Sequence, residues 1–386
     1  MGGNCDWIIT TKQKTICIAR MKKIGLAALF FFNLISCQES GKEKFNRQVE
    51  TLFANDFLPT EPGGAVLIMK GDKIIFSKAI GVADINTKEK ITTQTLFNTG
   101  SISKTFVSNV ILLLAEENKL SLTDSLFKYF PDFKNKEIAQ KVRIHHLLTH
   151  TSGLPDNRRD FLDSVTLLTA KDEENFAPIK QADTLLFEPG SRYEYSNPAF
   201  NGLALIIEKV TGKKWQQVVA EKIFAPAGMK TSKITDGSYP QEGVAHGYLR
   251  IKNQYTEKDY GEEPTFAAAG NGGVWSSAVE LAKYEISLRK AVFLKKETIE
   301  RSRTITTYPN WKDINPEFIG FSWFISKTED SVKVVSHTGT QGGFYADYVC
   351  LPEKELLYVI LCNKPFARER FNKHIMILFK ENNWLE

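Results

Sequence analysis

The chain has 386 residues, 50 Lys and Arg against 45 Asp and Glu, and a formal net charge of +5. With 42% hydrophobic and 25% charged residues, its composition is that of an ordinary globular protein, which excludes a disordered, collagen-like or multi-span membrane chain. The length accommodates one large domain or two or three smaller ones.

The basic excess sits at the N-terminus. Residues 1–36 hold Lys12, Lys14, Arg20, Lys22 and Lys23 against Asp6, a net +4, and the remaining 350 residues carry a net +1. A near-neutral body argues against a nucleic-acid partner. Met21-Lys22-Lys23 precedes an apolar run of nine residues, Ile24 to Phe32, well short of the roughly 20 needed to cross a bilayer. Such a pattern reads as an export signal. Leu34-Ile35-Ser36-Cys37 then resembles the lipobox of bacterial lipoproteins, with an ordinary signal peptide as the alternative. The expectation is a leader over 1–20, a lipoprotein signal peptide over 21–36, Cys37 as the lipid-modified mature N-terminus, and a tether over 37–49. The mature protein would then be anchored in the bacterial cell envelope, facing the periplasm or the cell surface.

An amphipathic segment follows, from Phe45 to Phe57. Ala65–Lys70 and Lys73–Ile80 read as strands joined by a Gly71-Asp72 turn. Phe106, Val110, Leu113 and Leu114 have helical spacing, ending near Asn118. Residues 120–300 mix helices with loops; Asn201–Val210 and Ala278–Leu288 are the clearest helices, the second opened by a Ser277-x-x-Glu280 capping box. Strand character returns at Ile319–Ser326, Val332–Ser336, Phe344–Leu351 and Leu356–Cys362, and a helix spans Arg368–Lys380. The last two strands pair around Pro352–Glu355, which sets Cys350 opposite Leu357 and Cys362 opposite Tyr345, too far apart to bridge, so two buried thiols are expected. The pattern predicts an α/β (α+β) fold: an antiparallel sheet built from both ends of the chain with flanking helices, and a mainly helical insertion at about 101–300 within a catalytic domain over 50–382.

Gly100-Ser101-Ile102-Ser103-Lys104 places a Ser at the start of the first strong helix, with a Lys three residues on. Positions i and i+3 share a helix face, so the amine reaches the hydroxyl. At a helix N-terminus the free N–H groups and the positive field lower a nearby Lys pKa and offer donors to an oxyanion. Ser-x-x-Lys recurs at Ser125 to Lys128, a helix end before a Pro turn, and at Ser287 to Lys290, a polar and solvated helix face. Both of these read as structural.

Two later segments add to Ser101: Tyr193-Glu194-Tyr195-Ser196-Asn197-Pro198, ahead of a helix, and His337-Thr338-Gly339-Thr340, after a strand. Ser-x-x-Lys, then Tyr-x-Asn, then Lys/His-Thr-Gly resembles the active-site trio of the penicillin-recognising serine hydrolases. The Tyr-Ser-Asn and His-Thr-Gly forms are similar to the class C β-lactamase-related branch, with its DD-peptidase and esterase members. Segments 147–155 and 268–276 resemble the same family, and the likeness runs from about residue 50 to 380. A second Tyr-x-Asn, at Tyr308-Pro309-Asn310, lies outside these surroundings and reads as chance.

The resemblance implies acyl transfer through a Ser101 ester, with no cofactor. Lys104 or Tyr195 takes the Ser101 proton, an alternative left open by residue type alone. The backbone N–H groups of Ser101 and Thr340 would hold the oxyanion, Asn197 would bridge Lys104 and a substrate carbonyl, and His337 with Thr338 would face a substrate carboxylate, Gly339 completing the motif. His337 departs from the usual Lys of this motif; a partly charged His weakens the preference for a free carboxylate and favours esters. Substrates implied are a D-amino-acid peptide, a β-lactam or a small ester.

Two rival readings remain. A non-catalytic envelope-binding protein of the same fold would capture peptidoglycan fragments. A zinc hydrolase would use His145, His146 and His150, where His146 and His150 have helical ligand spacing but Leu147 stands where metalloproteases carry Glu. Gly270-Asn271-Gly272-Gly273 lacks the third Gly and the Lys of nucleotide loops and reads as a flexible loop near the site.

Overall fold

The computed structural model describes residues 41–160, 162, 170–235, 242–257 and 269–386; the expected leader, signal segment and Cys37 lie outside them. Helix α1 spans Gly41–Ala54, so residues 41–49 of the segment expected to be a tether are helical. Strands β1 (Gly64–Lys70) and β2 (Lys73–Ile80) follow, paired around Gly71 at φ +56°.

Next come the two-residue strand β3 (Phe97–Asn98) and helix α2 (Ser103–Glu116), whose residues from Ser103 to Leu114 are all buried. Such a helix, apolar around most of its circumference, belongs in the middle of a core. Helix α3 (Asn197–Thr211) starts from Ser196, whose hydroxyl accepts the Ala199 N–H, and stops at Gly212 in the left-handed conformation. Strands β4 (Lys233–Ile234), β5 (Tyr248–Ile251), β6 (Gln254–Glu257) and β7 (Val274–Ser276) make two small sheets, β3-β7-β4 and β5-β6. Helix α4 (Ala278–Arg289) is capped by Ser277, whose hydroxyl accepts the Glu280 N–H, as the sequence predicts. The chain closes with β8 (Phe324–Lys327), β9 (Lys333–Gln341), β10 (Phe344–Leu351), β11 (Leu356–Cys362) and helix α5 (Arg368–Glu381).

The main sheet has the order β2-β1-β11-β10-β9-β8, all antiparallel, so strands from the two ends of the chain pair at β1 and β11. Every residue of β11 is buried; a strand covered on both faces reads as a continuous apolar run, and each large side chain there contributes roughly 1.5–3 kcal/mol. Helix α4 packs on β1 and β11. Buried Glu285 of that helix pairs with Arg303 through two bonds of 2.9 and 2.6 Å and accepts from Tyr348 and Cys350 of β10. A buried pair of this kind fixes the helix on the sheet at a desolvation cost. Cys350 faces Leu357 and Cys362 faces Tyr345, both thiols free and buried. Strand β8 pairs with β9 from Lys333 to Ser336, and no described strand flanks residues 337–341 on that edge.

Candidate active site

The turn carrying Ser101 is laid against the open part of β9. Gly100 has φ +51°, and a Cβ there would stand 2.8 Å from the Thr340 nitrogen; a Cβ on Gly339 would stand 2.0 Å from the Thr99 oxygen. Both glycines are needed for backbone to meet backbone at this point. From the other side, the Thr99 N–H donates to the Val274 carbonyl at 2.9 Å and the Val274 N–H to Ser103 Oγ at 3.0 Å, so β7 holds the turn as well. Ser101 lies in a short 3-10 turn, Gly100–Ile102, that runs directly into α2.

Lys104, in the first turn of α2, is fully buried. Its Nζ reaches Ser101 Oγ at 3.0 Å, Asn197 Oδ1 at 2.9 Å and the Asn271 carbonyl at 2.7 Å. Burial is the main cause that holds this amine well below the usual lysine range, and the charge of Arg158 adds to it. Asn197 is the first residue of α3, followed by Pro198, which is favoured at a helix start.

Tyr195 stands beside Ser101, the residue 36% exposed, its ring centroid 5.1 Å from the Lys104 nitrogen and stacked on His150 at 4.4 Å. Desolvation of its hydroxyl pushes its pKa up to about 12, against a smaller opposing effect from its hydrogen bond with Ser101. A phenolate is therefore disfavoured at neutral pH.

His337 departs from the partial charge expected of it. It is buried, and burial, followed by the charge of Lys104, takes its pKa down to about 3. Its Nδ1 is hydrogen-bonded to the Thr338 carbonyl at 2.7 Å, so the ring is neutral with Nδ1 as donor. Strand alternation puts His337 and Gly339 on one face of β9 and Thr338 and Thr340 on the other.

The sequence reading missed the part played by the Gly270–Gly273 loop. Asn271 supplies a carbonyl to Lys104, and the loop is held there: the Gly270 N–H donates to Asp172 Oδ1 at 2.8 Å, and Asn201 Nδ2 donates to the same oxygen at 2.8 Å. Asn201 lies four residues, about one helical turn, after Asn197. Burial raises the Asp172 pKa to about 7, against its hydrogen bonds from Asn201 and Gly270. No catalytic motif covers Asp172; a carboxylate opening a short helix, Asp172–Phe176, gave no signal in the sequence.

The other Ser-x-x-Lys pairs stay apart from this site. Lys128 pairs with Asp124 at 2.8 Å. Ser287 is buried within α4, which corrects its expected place on a solvated face, while Lys290 pairs with Asp72. Tyr308 packs on His145 and bonds Thr149 Oγ1 at 2.7 Å. The zinc spacing does not survive either. The helix carrying His145 and His146 ends at Leu148, and His150 follows at φ +56°, its Nδ1 accepting the Ser196 N–H. Among the described residues no group of three or more His, Cys, Asp or Glu is placed to hold a metal, and no helix is long and apolar enough to cross a membrane.

Residues 58–379 match the profile of the Beta-lactamase family. The chain is 28% identical over 336 residues to Penicillin-binding protein 4* of Bacillus subtilis, covering 84% of this chain and 73% of that one. It is 36% identical over 180 residues to a D-aminopeptidase of Brucella anthropi, covering 45% of this chain and 33% of that enzyme. The octameric penicillin-binding protein homologue from Pyrococcus abyssi superposes with a TM-score of 0.75 at 27% identity, covering 88% of this chain and 77% of that one. The antiparallel sheet closed by both chain ends and the match across residues 58–379 place this chain in the Beta-lactamase family, whose fold is that of serine hydrolases.

Proposed function

We propose that the protein is a serine hydrolase working through a Ser101 acyl-enzyme, with the Lys104 amine as general base. The observation that carries this reading is the set of contacts at Lys104 Nζ. A neutral amine has two N–H groups and one lone pair. Asn197 Oδ1 and the Asn271 carbonyl can only accept, so they take the two N–H groups, and the lone pair faces the Ser101 hydroxyl, the one partner able to donate.

In this scheme Ser101 Oγ forms a bond to the acyl carbon as its proton passes to Lys104. The carbonyl electron pair moves to oxygen and faces the N–H groups of Ser101 and Thr340. Collapse expels the leaving group, which takes its proton from Lys104 by way of the neutral Tyr195 hydroxyl. Water then repeats the sequence on the ester, with Lys104 again taking the proton.

A neutral, buried His337 supplies no charge for a substrate carboxylate. This favours a small ester or a D-amino-acid amide over a β-lactam or a peptide ending in a free carboxylate, and the likeness to a D-aminopeptidase supports the amide. We further propose export and lipid attachment at Cys37, which palmitate labelling lost in Cys37→Ala would support. The test of the catalytic reading is incubation with a fluorophosphonate and, separately, a fluorescent penicillin, read by intact mass. Labelling by the fluorophosphonate that disappears in Ser101→Ala is expected. No adduct with either reagent would favour a binding protein of the same fold, and labelling by the penicillin would restore the β-lactam to the substrate class.

A further inference from the structure

The N-terminal end of α5 reaches the nucleophile's neighbourhood through Arg368. One nitrogen, Nη2, donates to the Gly339 carbonyl at 3.0 Å and to the Ala346 carbonyl at 3.3 Å. Gly339 and Ala346 face each other across β9 and β10, so a single nitrogen reaching both oxygens requires both carbonyls to point between those strands. In a trans peptide the C=O and N–H point in opposite directions. The Gly339 carbonyl and the Thr340 N–H belong to the same peptide group. That N–H therefore points away from β10, to the edge of β9 where the Ser101 turn lies and where a Cβ on Gly100 would come within 2.8 Å of the Thr340 nitrogen.

We propose that Arg368 is a positioning residue for the oxyanion site, fixing and polarising the 339–340 peptide so that the Thr340 N–H is aimed at the developing charge on a Ser101-bound acyl group. The inference rests on the Ser101 reading above. A charge-assisted hydrogen bond to a carbonyl draws electron density away from the amide nitrogen and strengthens the N–H as a donor. It also sets the peptide plane before the reaction, the condition under which such donors are effective. Arg368 is held for this purpose at its other end: Nε donates to Asp347 of β10, which is fully buried, and the guanidinium lies over the rings of Tyr345 and Phe366 at 5.8 and 5.7 Å. An arginine that merely anchored α5 to the sheet would need the Asp347 contact but not the bond to Gly339.

The test compares an ester with its thiono analogue, p-nitrophenyl acetate and the same compound with sulfur in place of the carbonyl oxygen. An oxyanion accepts hydrogen bonds far better than a thiolate, so the rate ratio between the two reads the oxyanion donors and is insensitive to general loss of folded enzyme. Arg368→Ala leaves Asp347 buried and unpaired and endangers the fold, so the double variant Asp347→Leu/Arg368→Met, which removes both charges, is measured beside it. The expected result is a fall in kcat for the ester on the order of tenfold, less than the roughly 10²–10³-fold lost when an oxyanion donor itself is removed. KM should hold and the thionoester rate should change much less. An unchanged ester-to-thionoester ratio in the double variant overturns the role of Arg368 while leaving the Ser101 mechanism standing. Ester turnover that persists in Ser101→Ala overturns the mechanism itself and this inference with it.

Discussion

Lys104 Nζ lies 2.7 Å from the backbone carbonyl of Asn271, 167 residues further along the chain. That carbonyl accepts from the amine, and in the proposed mechanism it takes one of two N–H groups and leaves the lone pair for Ser101. Its position depends on Asp172, which accepts the N–H of the preceding residue, Gly270.

Asp172 gives a pH signature. Burial raises its pKa to about 7 in the folded protein, while an unfolded Asp titrates near 3.9. Between about pH 4 and 7 the folded state binds more protons, so stability falls as pH rises through that window. Asp172→Asn keeps an oxygen for Gly270 and Asn201 and removes the titration. Its Tm relative to wild type should increase from about pH 5 to about pH 8. Equal differences at both would contradict the assignment.

Lys104 gives the opposite kind of trade. Its folded pKa lies well below that of an unfolded Lys, which is about 10.4. The unfolded state therefore binds more protons below that pH, and folding carries a penalty at neutral pH that fades as pH rises toward about 10. Lys104→Met should raise Tm at neutral pH by a few degrees, a gain that shrinks at high pH. The same variant should slow Ser101 acylation by about 10²–10⁴-fold. A Tm lowered at neutral pH would count against a neutral, strained lysine.

The fold was largely legible in the sequence and the site only partly so. Alternation and turn residues marked β1, β2, β10 and β11 because they are long, regular and bounded by clear turns. The open end of β9 was underestimated, since His337-Thr338-Gly339 breaks the apolar pattern for the sake of a close approach to Thr99. Ser101 and Lys104 were marked by helical spacing, Tyr195 and Asn197 by the family resemblance of their motif, and the four come together in space. Asn271 acts through its backbone carbonyl, which any residue type could supply, and Asp172 acts through a long-range hydrogen bond. Neither leaves a trace in residue spacing. The neutral state of His337 is likewise a consequence of burial.

Gly339 tests the close approach. A Cβ there would stand 2.0 Å from the Thr99 oxygen, a backbone atom with no rotamer to yield. Gly339→Ala should move the Ser101 turn off β9 and lower acylation about 10²-fold, the usual cost of misplacing reacting groups by an ångström. Acylation kinetics alongside circular dichroism would decide it; full activity in a folded variant would contradict the packing described.

His337 tests substrate choice. Replacing the neutral ring by a cation, His337→Lys, should slow ester turnover but raise about tenfold the ratio of turnover for a D-alanine-terminated peptide carboxylate over its C-terminal amide. A ratio that does not move would separate this position from recognition of the substrate's terminus.

In the proposed mechanism a neutral Lys104 takes the proton from Ser101. The direct measurement is the rate of fluorophosphonate labelling of Ser101 as a function of pH in wild type, Tyr195→Phe and Lys104→Ala. Labelling should rise along a single acid limb with its midpoint well below 10.5, the ordinary lysine value. That limb should persist in Tyr195→Phe and vanish, with most of the rate, in Lys104→Ala. A limb that survives in Lys104→Ala but disappears in Tyr195→Phe would assign the base to the tyrosine and exclude Lys104 from that role.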